Sequence, residues 1–418
     1  MNKKLPFVID EDININSKPS LLLHSCCAPC SSSVLEMLCE HFEVTVFYYN
    51  PNIFPESEYE KRLNEQKRFC KEFSNQNRTI GFLASEYCSE DFESASKELE
   101  NVPEGGKRCT QCYRLRLEKT AMMAFEKGFD YFASTLSVSP LKDAKRLNAI
   151  GEELSKKYGT KYLVSDFKKQ NGYKRSTELS KQYNMYRQDF CGCKYSLAER
   201  IMSAKAFIFD ADGTLFDTMN FYEDFANRYL VMQGYEPEAN IREKIRAKTI
   251  TECCEYIKEK YKIEKSVDKI QDDLSKMLYD LYAKETGMKD GVFEFLKYSK
   301  QKGIRMCIAT ATAKNLLSLT LEHLGLQDYF EFVLTCPEVG ATKREPKIYD
   351  ECVRMLDLSQ RDAVVFEDAH HAMITAKNAG YRVVAVREET ELKFMEEILA
   401  NCDIYVDSMM DLINRENL

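Results

Sequence analysis

The stretch Leu21-Leu22-Leu23-His24-Ser25-Cys26-Cys27-Ala28-Pro29-Cys30-Ser31-Ser32 decides the fold of the first half of the chain. An apolar run ends at two adjacent cysteines, and a helical pattern begins shortly after the proline. This order predicts a β-strand, a tight loop and a helix N-terminus. Ligands of open α/β sheets bind at the carboxyl ends of the strands, and a helix N-terminus stabilises a thiolate. Because adjacent cysteines do not easily reach disulfide geometry, we expect this pair to ligate a metal group.

Strands alternate with helices through the rest of the chain, which is typical of a mostly parallel sheet. In the first half, the predicted strands after the opening one cover 43–49, 131–138 and 161–167, with a weak one at 80–83. Helices are predicted over 58–73, 109–126 and 142–158. A new strand starts at 206–210, and later strands are expected at 304–309, 330–335, 363–366 and 381–386. Helical periodicity without a convincing strand occupies 218–290.

This pattern predicts an α/β protein with two doubly wound, parallel-sheet (Rossmann-like) domains. The first domain is expected to cover 1–203. The second is expected to cover 204–418, with its core at 204–217 and 291–418 and an α-helical cap insert at 218–290. A chain of 418 residues is too long for a single core.

Composition describes an ordinary globular protein, with 44% hydrophobic and 30% charged residues. No apolar run approaches the length that spans a membrane, and the polar N-terminus lacks a signal-peptide core, so a cytoplasmic location is expected. Residues 1–203 carry 30 Lys or Arg and 28 Asp or Glu, whereas the remainder carries 29 and 39. This difference is compatible with a polyanion that contacts the first half only.

The chain has 16 cysteines, and those with ligand-like spacing all lie in the first half. Cys26-Cys27 and the pair Cys109 and Cys112 together offer four thiolates, which suit tetrahedral zinc or an iron–sulfur cluster. Adjacent thiols can reach different irons of a cluster, so the spacing favours iron–sulfur over zinc or no metal. Cys30 is interpreted as a helix-start residue. Cys191-Gly192-Cys193 is a candidate redox-active disulfide, or two coincidental cysteines at a turn.

These motifs resemble the QueH-type epoxyqueuosine reductases over about residues 18–200. The matching strings are 24–30, 49–53 with Pro55, Glu58, Tyr59 and Arg62, 108–117, and 172–193, where Gly172, Arg175-Ser176, Tyr186-Arg187-Gln188 and Cys191-Gly192-Cys193 stand. The resemblance implies that the epoxide of epoxyqueuosine, in the wobble position of the tRNA anticodon, is reduced to the alkene of queuosine. An external electron donor is implied as well.

The resemblance also implies roles for individual residues. Cys26, Cys27, Cys109 and Cys112 would hold a [4Fe-4S] cluster, and Cys191 with Cys193 would form a redox-active disulfide. For substrate binding we name Arg175, Tyr186 and Arg187, which offer phosphate contacts and a stacking face for a splayed base. Arg62, Arg114 and Arg116 are further candidates for RNA contacts, and Asp189, Tyr186 and His24 are candidates for proton delivery.

The second half opens with Phe209-Asp210-Ala211-Asp212-Gly213-Thr214-Leu215-Phe216-Asp217, two carboxylates just past an apolar strand. Further polar residues follow later strands in order: Thr310, Lys343 and the pair Glu367-Asp368. Thr310 can bind a phosphate, Lys343 can neutralise nucleophile and phosphate, and carboxylates suit Mg²⁺. This order resembles the haloacid dehalogenase superfamily, specifically its small helical-cap phosphatases and phosphomutases, over about residues 205–400.

This second resemblance implies that Asp210 attacks phosphorus to give an aspartyl-phosphate and that Asp212 acts as general acid and then base. Mg²⁺ would be held by Asp210, Asp368 and the backbone carbonyl of Asp212, and Glu367 is placed on the substrate side. The substrate would be a small phosphorylated molecule, selected by the cap insert. Whether the phosphoryl group is released or transferred, as in a phosphomutase, stays open.

Two other readings of the first half remain. It could be a zinc-bearing RNA-binding module that delivers the phosphatase or phosphomutase to RNA. It could also be a nucleotide-binding sulfur or adenylyl transferase, which the cysteines disfavour because those enzymes need a Gly-rich phosphate loop at this point.

Overall fold

The computed structural model describes residues 5–9, 18–74, 79–245 and 250–414. The chain divides into two compact units, Met1–Arg200 and Ile201–Leu418. The division lies close to the boundary that the restart of the strand pattern predicts.

Unit 1 is built around a parallel sheet whose central strand is the predicted opening strand. Its strands are β1 (Ser20–His24), β2 (Glu43–Tyr48), β3 (Gly81–Ala84), β4 (Tyr131–Ser134) and β5 (Lys161–Tyr162). Its helices are α1 (Ala28–Leu38), α2 (Glu56–Phe73), α3 (Ser89–Ser96), α4 (Lys107–Glu126), α5 (Ala144–Tyr158), α6 (Gly172–Gln182) and α7 (Lys194–Ile201). The strand order is β3-β2-β1-β4-β5, and every neighbouring pair is parallel. The predicted doubly wound sheet is confirmed.

Register brings the ends of the central strands together. His24, the last residue of β1, pairs with Phe47 of β2 and with Ser134 of β4. The side chains of Leu21, Leu22 and Leu23 are fully buried, because helices cover both faces of a parallel sheet. The loop that begins at Ser25 therefore leaves the sheet at its carboxyl edge.

Two predicted strands of unit 1 are shorter than the sequence suggested. β4 ends at Ser134 and continues as a 3-10 turn, Thr135–Val138, in which the Ser134 hydroxyl accepts the Leu136 N–H at 3.2 Å. β5 covers only two residues. Beyond it the chain pairs with the N-terminal segment, since Phe7 and Ser165 form an antiparallel bridge.

Unit 2 has a larger parallel sheet and a helical insert. Its strands are β6 (Ala206–Phe209), β7 (Arg305–Thr310), β8 (Val333–Thr335), β9 (Ala363–Glu367), β10 (Arg382–Val386) and β11 (Ile404–Val406). Its helices are α8 (Met219–Met232), α9 (Ile241–Ile245), α10 (Ile250–Tyr261), α11 (Val267–Asp280), α12 (Val292–Gln301), α13 (Lys314–His323), α14 (Cys336–Val339), α15 (Lys347–Met355), α16 (His370–Asn378), α17 (Met395–Asn401) and α18 (Asp411–Asn414). The strand order is β11-β10-β9-β6-β7-β8, all parallel.

The insert between β6 and α12 is helical, as the sequence predicts. Helices α8 to α11 are followed by a π-helical turn, Leu281–Glu285. They share a hydrophobic core of their own, which includes Tyr229, Cys254 and Ile270.

None of the helices in the described part of the chain is long and apolar enough to cross a membrane.

Candidate active sites

The loop after β1 and the first turn of α1 bring three thiols together in unit 1. Cys27 is the N-cap of α1, and Cys26 Sγ lies 3.8 Å from Cys27 Sγ. The sulfurs of Cys26, Cys27 and Cys30 all lie within 4.8 Å of one another. Cys30 therefore lies in the helix start, as interpreted, but its thiol also belongs to the cysteine group. Its position one turn after Cys26 is the sequence signal that indicates this.

The pKa of one of the three thiols is lowered, and the pKa values of the other two are raised. Hydrogen bonds from Cys27 and Cys30 hold the pKa of Cys26 well below its usual range, and the nearby Arg116 adds to this. The same hydrogen bonds raise the pKa of Cys30, and the pKa of Cys27 rises to about 12 because of Cys26. The loop thus favours a thiolate at Cys26.

The second cysteine pair comes from the first two turns of α4. Cys109 and Cys112 are both buried, and the N–H of Gly105 donates to Cys109 Sγ at 3.2 Å. Cys109 packs in the same hydrophobic cluster as Cys26, whereas Cys112 packs with Cys193. The group of sulfurs within 4.8 Å does not include this pair.

A buried arginine provides the test of whether a thiolate-ligated group fits here. Arg116, one turn after Cys112 on α4, is 1% exposed. Its Nη1 donates to Asn50 Oδ1 at 3.1 Å, while Nε and Nη2 have no hydrogen-bond partner. Its charge acts on Cys112, Cys191 and Cys26. A guanidinium buried without a carboxylate requires another anion, so the donor set fits a group that carries thiolate charge.

The turn 191–193 is held against this site. Arg62 Nη1 donates to the carbonyl of Cys191 at 3.0 Å, and the N–H of Phe54 donates to the carbonyl of Gly192 at 2.8 Å. Gly192 has a φ of +133°, and a Cβ there would lie 3.0 Å from Arg62 Nη1. Both Cys191 and Cys193 are free thiols in this structure, so their pairing as a disulfide stays a prediction.

A cavity of about 270 Å³ opens beside these thiols. It is lined by Cys26, Cys30 and Cys191, by the charged residues Glu104, Arg116, Lys142, Arg187 and Asp189, and by Pro29, Leu136, Val138, Ser139, Leu141, Tyr173, Ser176, Gln188 and Phe190. Apolar walls with a few charged groups are typical of a small-molecule site.

Of the three residues of unit 1 that are predicted to bind substrate, one lines the cavity. Arg187 lines it. Arg175 instead pairs with Glu36 at 2.8 Å, and the hydroxyl of Tyr186 donates to Glu58 Oε2 at 3.0 Å. The structure thus brings only Arg187 of this set to the cavity wall.

Burial bears on two further predictions, the RNA contacts of two arginines and proton delivery by His24. Arg62 and Arg116 are each 1% exposed, so neither lies on an open surface, although Arg116 lines the cavity. Their contact with RNA stays a prediction. His24 is fully buried between Tyr49 O at 3.1 Å and Ser134 Oγ at 2.9 Å. Burial lowers the pKa of His24 to about 3. His24 is therefore a neutral packing residue, and Asp189 is the candidate proton donor that lines the cavity.

The site of unit 2 forms where β6 and β9 end side by side. One carboxylate oxygen each of Asp210, Glu367 and Asp368 lies within 4.8 Å of the others. Lys343 Nζ donates to both Asp210 and Glu367, and the buried Tyr349 hydroxyl donates to Glu367 at 3.0 Å.

Three buried carboxyl groups surround the single Lys343, and the pKa values of two of them are raised. Burial raises the pKa of Asp210 to about 7, although Lys343 opposes the rise. Burial and the neighbouring Asp210 raise the pKa of Asp368 well above its usual range. Crowded, buried carboxylate oxygens suit a divalent hard cation, so these residues fit Mg²⁺. Gly213 is required beside them, because a Cβ there would lie 2.3 Å from Asp368 Oδ2.

Asp212 is surrounded by hydroxyl groups. Its Oδ1 accepts hydrogen bonds from Thr218 and Tyr282, each at 2.7 Å, and its Oδ2 accepts one from Thr312. Tyr282 belongs to the π-helical turn that closes the insert. Sequence reasoning did not find Tyr282, Thr312 or Tyr349, because isolated hydroxyl residues carry no motif.

Two other predicted residues of this site have clear positions. Thr310 ends β7, and its hydroxyl accepts the Thr312 N–H at 3.0 Å. Glu367 is fully buried, and Lys343 and Tyr349 both donate to its Oε1. Glu367 therefore positions Lys343.

Comparison with known families separates the same two halves. A family model described as epoxyqueuosine reductase QueH matches residues 21–199. A second model, haloacid dehalogenase-like hydrolase, matches residues 207–386.

Curated relatives match the first half. An epoxyqueuosine reductase QueH from Streptococcus pyogenes serotype M1 is 44% identical over 203 residues, which cover 47% of this chain and 80% of that protein. The corresponding protein from Staphylococcus epidermidis is 39% identical over 217 residues, covering 51% of this chain and 91% of that protein.

One solved structure with which the chain aligns is that of CbbY from Rhodobacter sphaeroides in complex with phosphate. The two are 23% identical with a TM-score of 0.39, covering 50% of this chain and 96% of that one. The first half of the chain thus belongs to the epoxyqueuosine reductase QueH family, and a haloacid dehalogenase-like hydrolase domain follows it.

Proposed function

We propose that unit 1 reduces the epoxide of epoxyqueuosine in tRNA to the alkene of queuosine, using a [4Fe-4S] cluster held by Cys26, Cys27, Cys109 and Cys112. The observation that carries this proposal is the buried, carboxylate-free Arg116 among the thiols beside the cavity. The reaction consumes two electrons and two protons, breaks both C–O bonds of the epoxide and releases water. A bound cluster supplies electrons and a Lewis-acidic iron.

The protein residues have separate tasks in this reaction. Cys191 and Cys193 store a two-electron equivalent as a dithiol, which an external donor restores. Asp189, which pairs with Arg200 at 3.0 Å, relays a proton from solvent at the cavity wall, and Arg187 binds a phosphate of the anticodon. The apolar wall around Leu136 and Val138 excludes water from the modified base.

Nucleoside analysis of tRNA tests the reductase. In a host that lacks its own epoxyqueuosine reductase, the wild-type protein should convert epoxyqueuosine to queuosine, and Cys109→Ala should leave epoxyqueuosine in place. Cys88→Ala is the matched control, because this half-exposed cysteine lies outside the group and should remain active. Persistence of epoxyqueuosine with the wild-type protein would contradict the proposal.

Anaerobic purification tests the metal separately. A brown protein with a broad visible absorption band is expected. Stoichiometric zinc without colour would instead support the RNA-binding module.

For unit 2 we propose a Mg²⁺-dependent phosphatase that acts on a small phosphoester through an aspartyl-phosphate on Asp210. The supporting observation is the buried group of Asp210, Glu367 and Asp368 bridged by Lys343. Asp210, Asp368 and the carbonyl of Asp212 would hold the ion, which neutralises the phosphate. Asp212 protonates the leaving oxygen and then activates water, and Thr310 with Lys343 binds the phosphoryl oxygens.

Phosphate release from a panel of small phosphoesters tests this proposal. Activity should require Mg²⁺, disappear with a chelator, and be lost in Asp210→Asn. Isomerisation of a substrate without phosphate release would identify a phosphomutase instead. Inactivity of the wild-type protein with Mg²⁺ would contradict both the phosphatase and the phosphomutase.

A further inference from the structure

The two thiols of the 191–193 turn lie in different surroundings. Cys191 is half-buried and lines the cavity. Cys193 is 7% exposed and packs with Phe92, Cys112 and Tyr195. Only Cys191 is therefore accessible to a reactant that enters from the cavity.

A buried lysine contacts the accessible thiol. Lys142 Nζ lies 3.1 Å from Cys191 Sγ and 3.0 Å from Glu104 Oε1. Burial alone would lower the pKa of Lys142, but the neighbouring Cys191, Tyr113 and Glu104 raise it above its usual range. Lys142 is thus a charged ammonium group at neutral pH, aimed at a sulfur atom.

Cys193 has different contacts. Its sulfur accepts the Ser196 N–H at 3.4 Å and lies 3.5 Å from the Ser196 hydroxyl. Cys193 is therefore the buried thiol of the two, held by Ser196 and not by Lys142.

We propose that Lys142 is a positioning residue whose ammonium group contacts the accessible Cys191 sulfur, making Cys191 the exchanging member of the pair and Cys193 the buried member. This inference rests on the proposed role of the two cysteines as a redox pair. Nothing in the sequence pattern indicates Lys142, because it is a single lysine before α5.

The pair in its oxidised form would be reduced by a dithiol in two steps. One thiolate of the dithiol attacks Cys191 Sγ; a bond forms between these sulfurs, the Cys191–Cys193 bond breaks, and Cys193 leaves and takes a proton. The second thiolate of the dithiol then attacks its own partner sulfur, which releases Cys191 as a thiolate beside Lys142. The dithiol loses two electrons and the cysteine pair gains two. Lys142 accelerates the second step, because a stabilised thiolate is the better leaving group.

Cysteine-specific labelling of the full-length, reduced protein tests this assignment. Brief exposure to iodoacetamide under nitrogen, followed by peptide mass spectrometry, measures each cysteine separately. Cys191 should react about tenfold faster than Cys193 or more. Lys142→Met should slow Cys191 by about tenfold, and Lys142→Arg should restore most of the rate because it keeps the charge.

Internal controls make the result specific. Cys88 should react at the same rate in all variants, and Lys145→Met, which removes an exposed lysine nearby, should leave Cys191 unchanged. Equal Cys191 rates in Lys142→Met and wild type, or no rescue by Lys142→Arg, would overturn the proposal. Faster labelling of Cys193 than of Cys191 would overturn it as well.

A second variant covers the case in which Lys142→Met does not fold. Glu104→Gln removes the competing partner of Lys142, so Cys191 should react as fast as in the wild type or faster. A slower reaction would overturn the assignment. Because labelling needs no tRNA, failed epoxide reduction with the expected labelling pattern would refute the reductase proposal alone.

Discussion

At the scale of single residues, unit 1 is unusual for the arginines that it buries. Arg62, Arg108 and Arg116 are each 1% exposed, and burying a guanidinium is unfavourable unless an anion accompanies it. Arg62 has Glu58 at 2.6 Å. Arg108 has Glu199 at 3.9 Å and donates to backbone carbonyls such as that of Glu100 at 2.8 Å. Arg116 faces the thiols instead.

We expect Arg116→Met to have opposite effects on the metal-free and metal-loaded protein. Without metal, removal of a poorly paired buried charge should leave the melting temperature unchanged or raise it. With metal, loss of the cation should reduce the iron bound per chain. Thermal melting and iron analysis of both forms test this. A large loss of metal-free stability with full iron content would contradict the charge argument.

Arg114→Met is the matched control. Arg114 lies two residues earlier on α4 and pairs with Glu153 at 2.7 Å on the surface. Its replacement should change stability by less than about 1 kcal/mol and leave iron binding intact.

The Arg62–Glu58 pair supports a second prediction. Glu58→Ala leaves Arg62 buried without a carboxylate, so the free energy of unfolding of unit 1 should fall by about 3–5 kcal/mol. Chemical denaturation measures this. Glu60→Ala, at an exposed position on the same helix, should be close to neutral. Equal effects of the two substitutions would show that the pair contributes little.

Motif residues could be predicted from the sequence, whereas their supporting residues could not. Cys26, Asp210 and Lys343 stand in strings that constrain their chemistry. Lys142 and Tyr282 reach their sites from distant parts of the chain, and their contacts depend on packing that a linear pattern does not encode.

At the scale of elements, helix α6 depends on a close backbone approach at its first residue. A Cβ on Gly172 would lie 1.9 Å from the carbonyl oxygen of Phe167. The same helix carries Tyr173 and Ser176 to the cavity wall. Gly172 therefore fixes both the start of the helix and one side of the cavity.

Gly172→Ala should accordingly destabilise unit 1 by about 1–3 kcal/mol through overpacking. It should also lower conversion of epoxyqueuosine in the tRNA assay. Gly287→Ala is the control, since nothing lies within 4 Å of a Cβ there. A neutral Gly172→Ala would mean that the Phe167 carbonyl moves aside at little cost.

The strand pattern was a good guide at the centre of each sheet, and a poor one at the sheet edges. β6 and β9 are nearly as predicted, because buried parallel strands are continuous apolar runs. The predicted strand 161–167 shortens to Lys161–Tyr162, since Val164 O accepts the Val8 N–H at 3.0 Å instead. The short edge strand β11 was missed. Val8 lies more than 150 positions before Val164 and β11 has only three residues, so neither leaves a clear local signal.

At the scale of the whole molecule, each unit carries the residues of its own candidate site on its own sheet. The cysteines, Arg116 and Lys142 belong to unit 1, and Asp210, Lys343 and Asp368 belong to unit 2. The two chemistries therefore do not share a side chain among these residues.

We expect the chain to tolerate division between residues 203 and 204. Fragments 1–203 and 204–418, produced separately, should each unfold cooperatively; the first should bind iron and the second should release phosphate in the presence of Mg²⁺. A division at 150/151, inside α5, should instead prevent folding of unit 1. Calorimetry and the two activity assays test this, and two insoluble fragments from the 203/204 division would contradict it.

The order of the two units along the chain has a consequence for synthesis on the ribosome. All five strands of the unit 1 sheet lie between Ser20 and Tyr162, and domains generally fold as units, starting from the N-terminus, while the chain is still growing. The reductase can therefore assemble before translation has reached most of the hydrolase. Each messenger RNA then yields the two enzymes in equal numbers, with the tRNA-modifying one completed first.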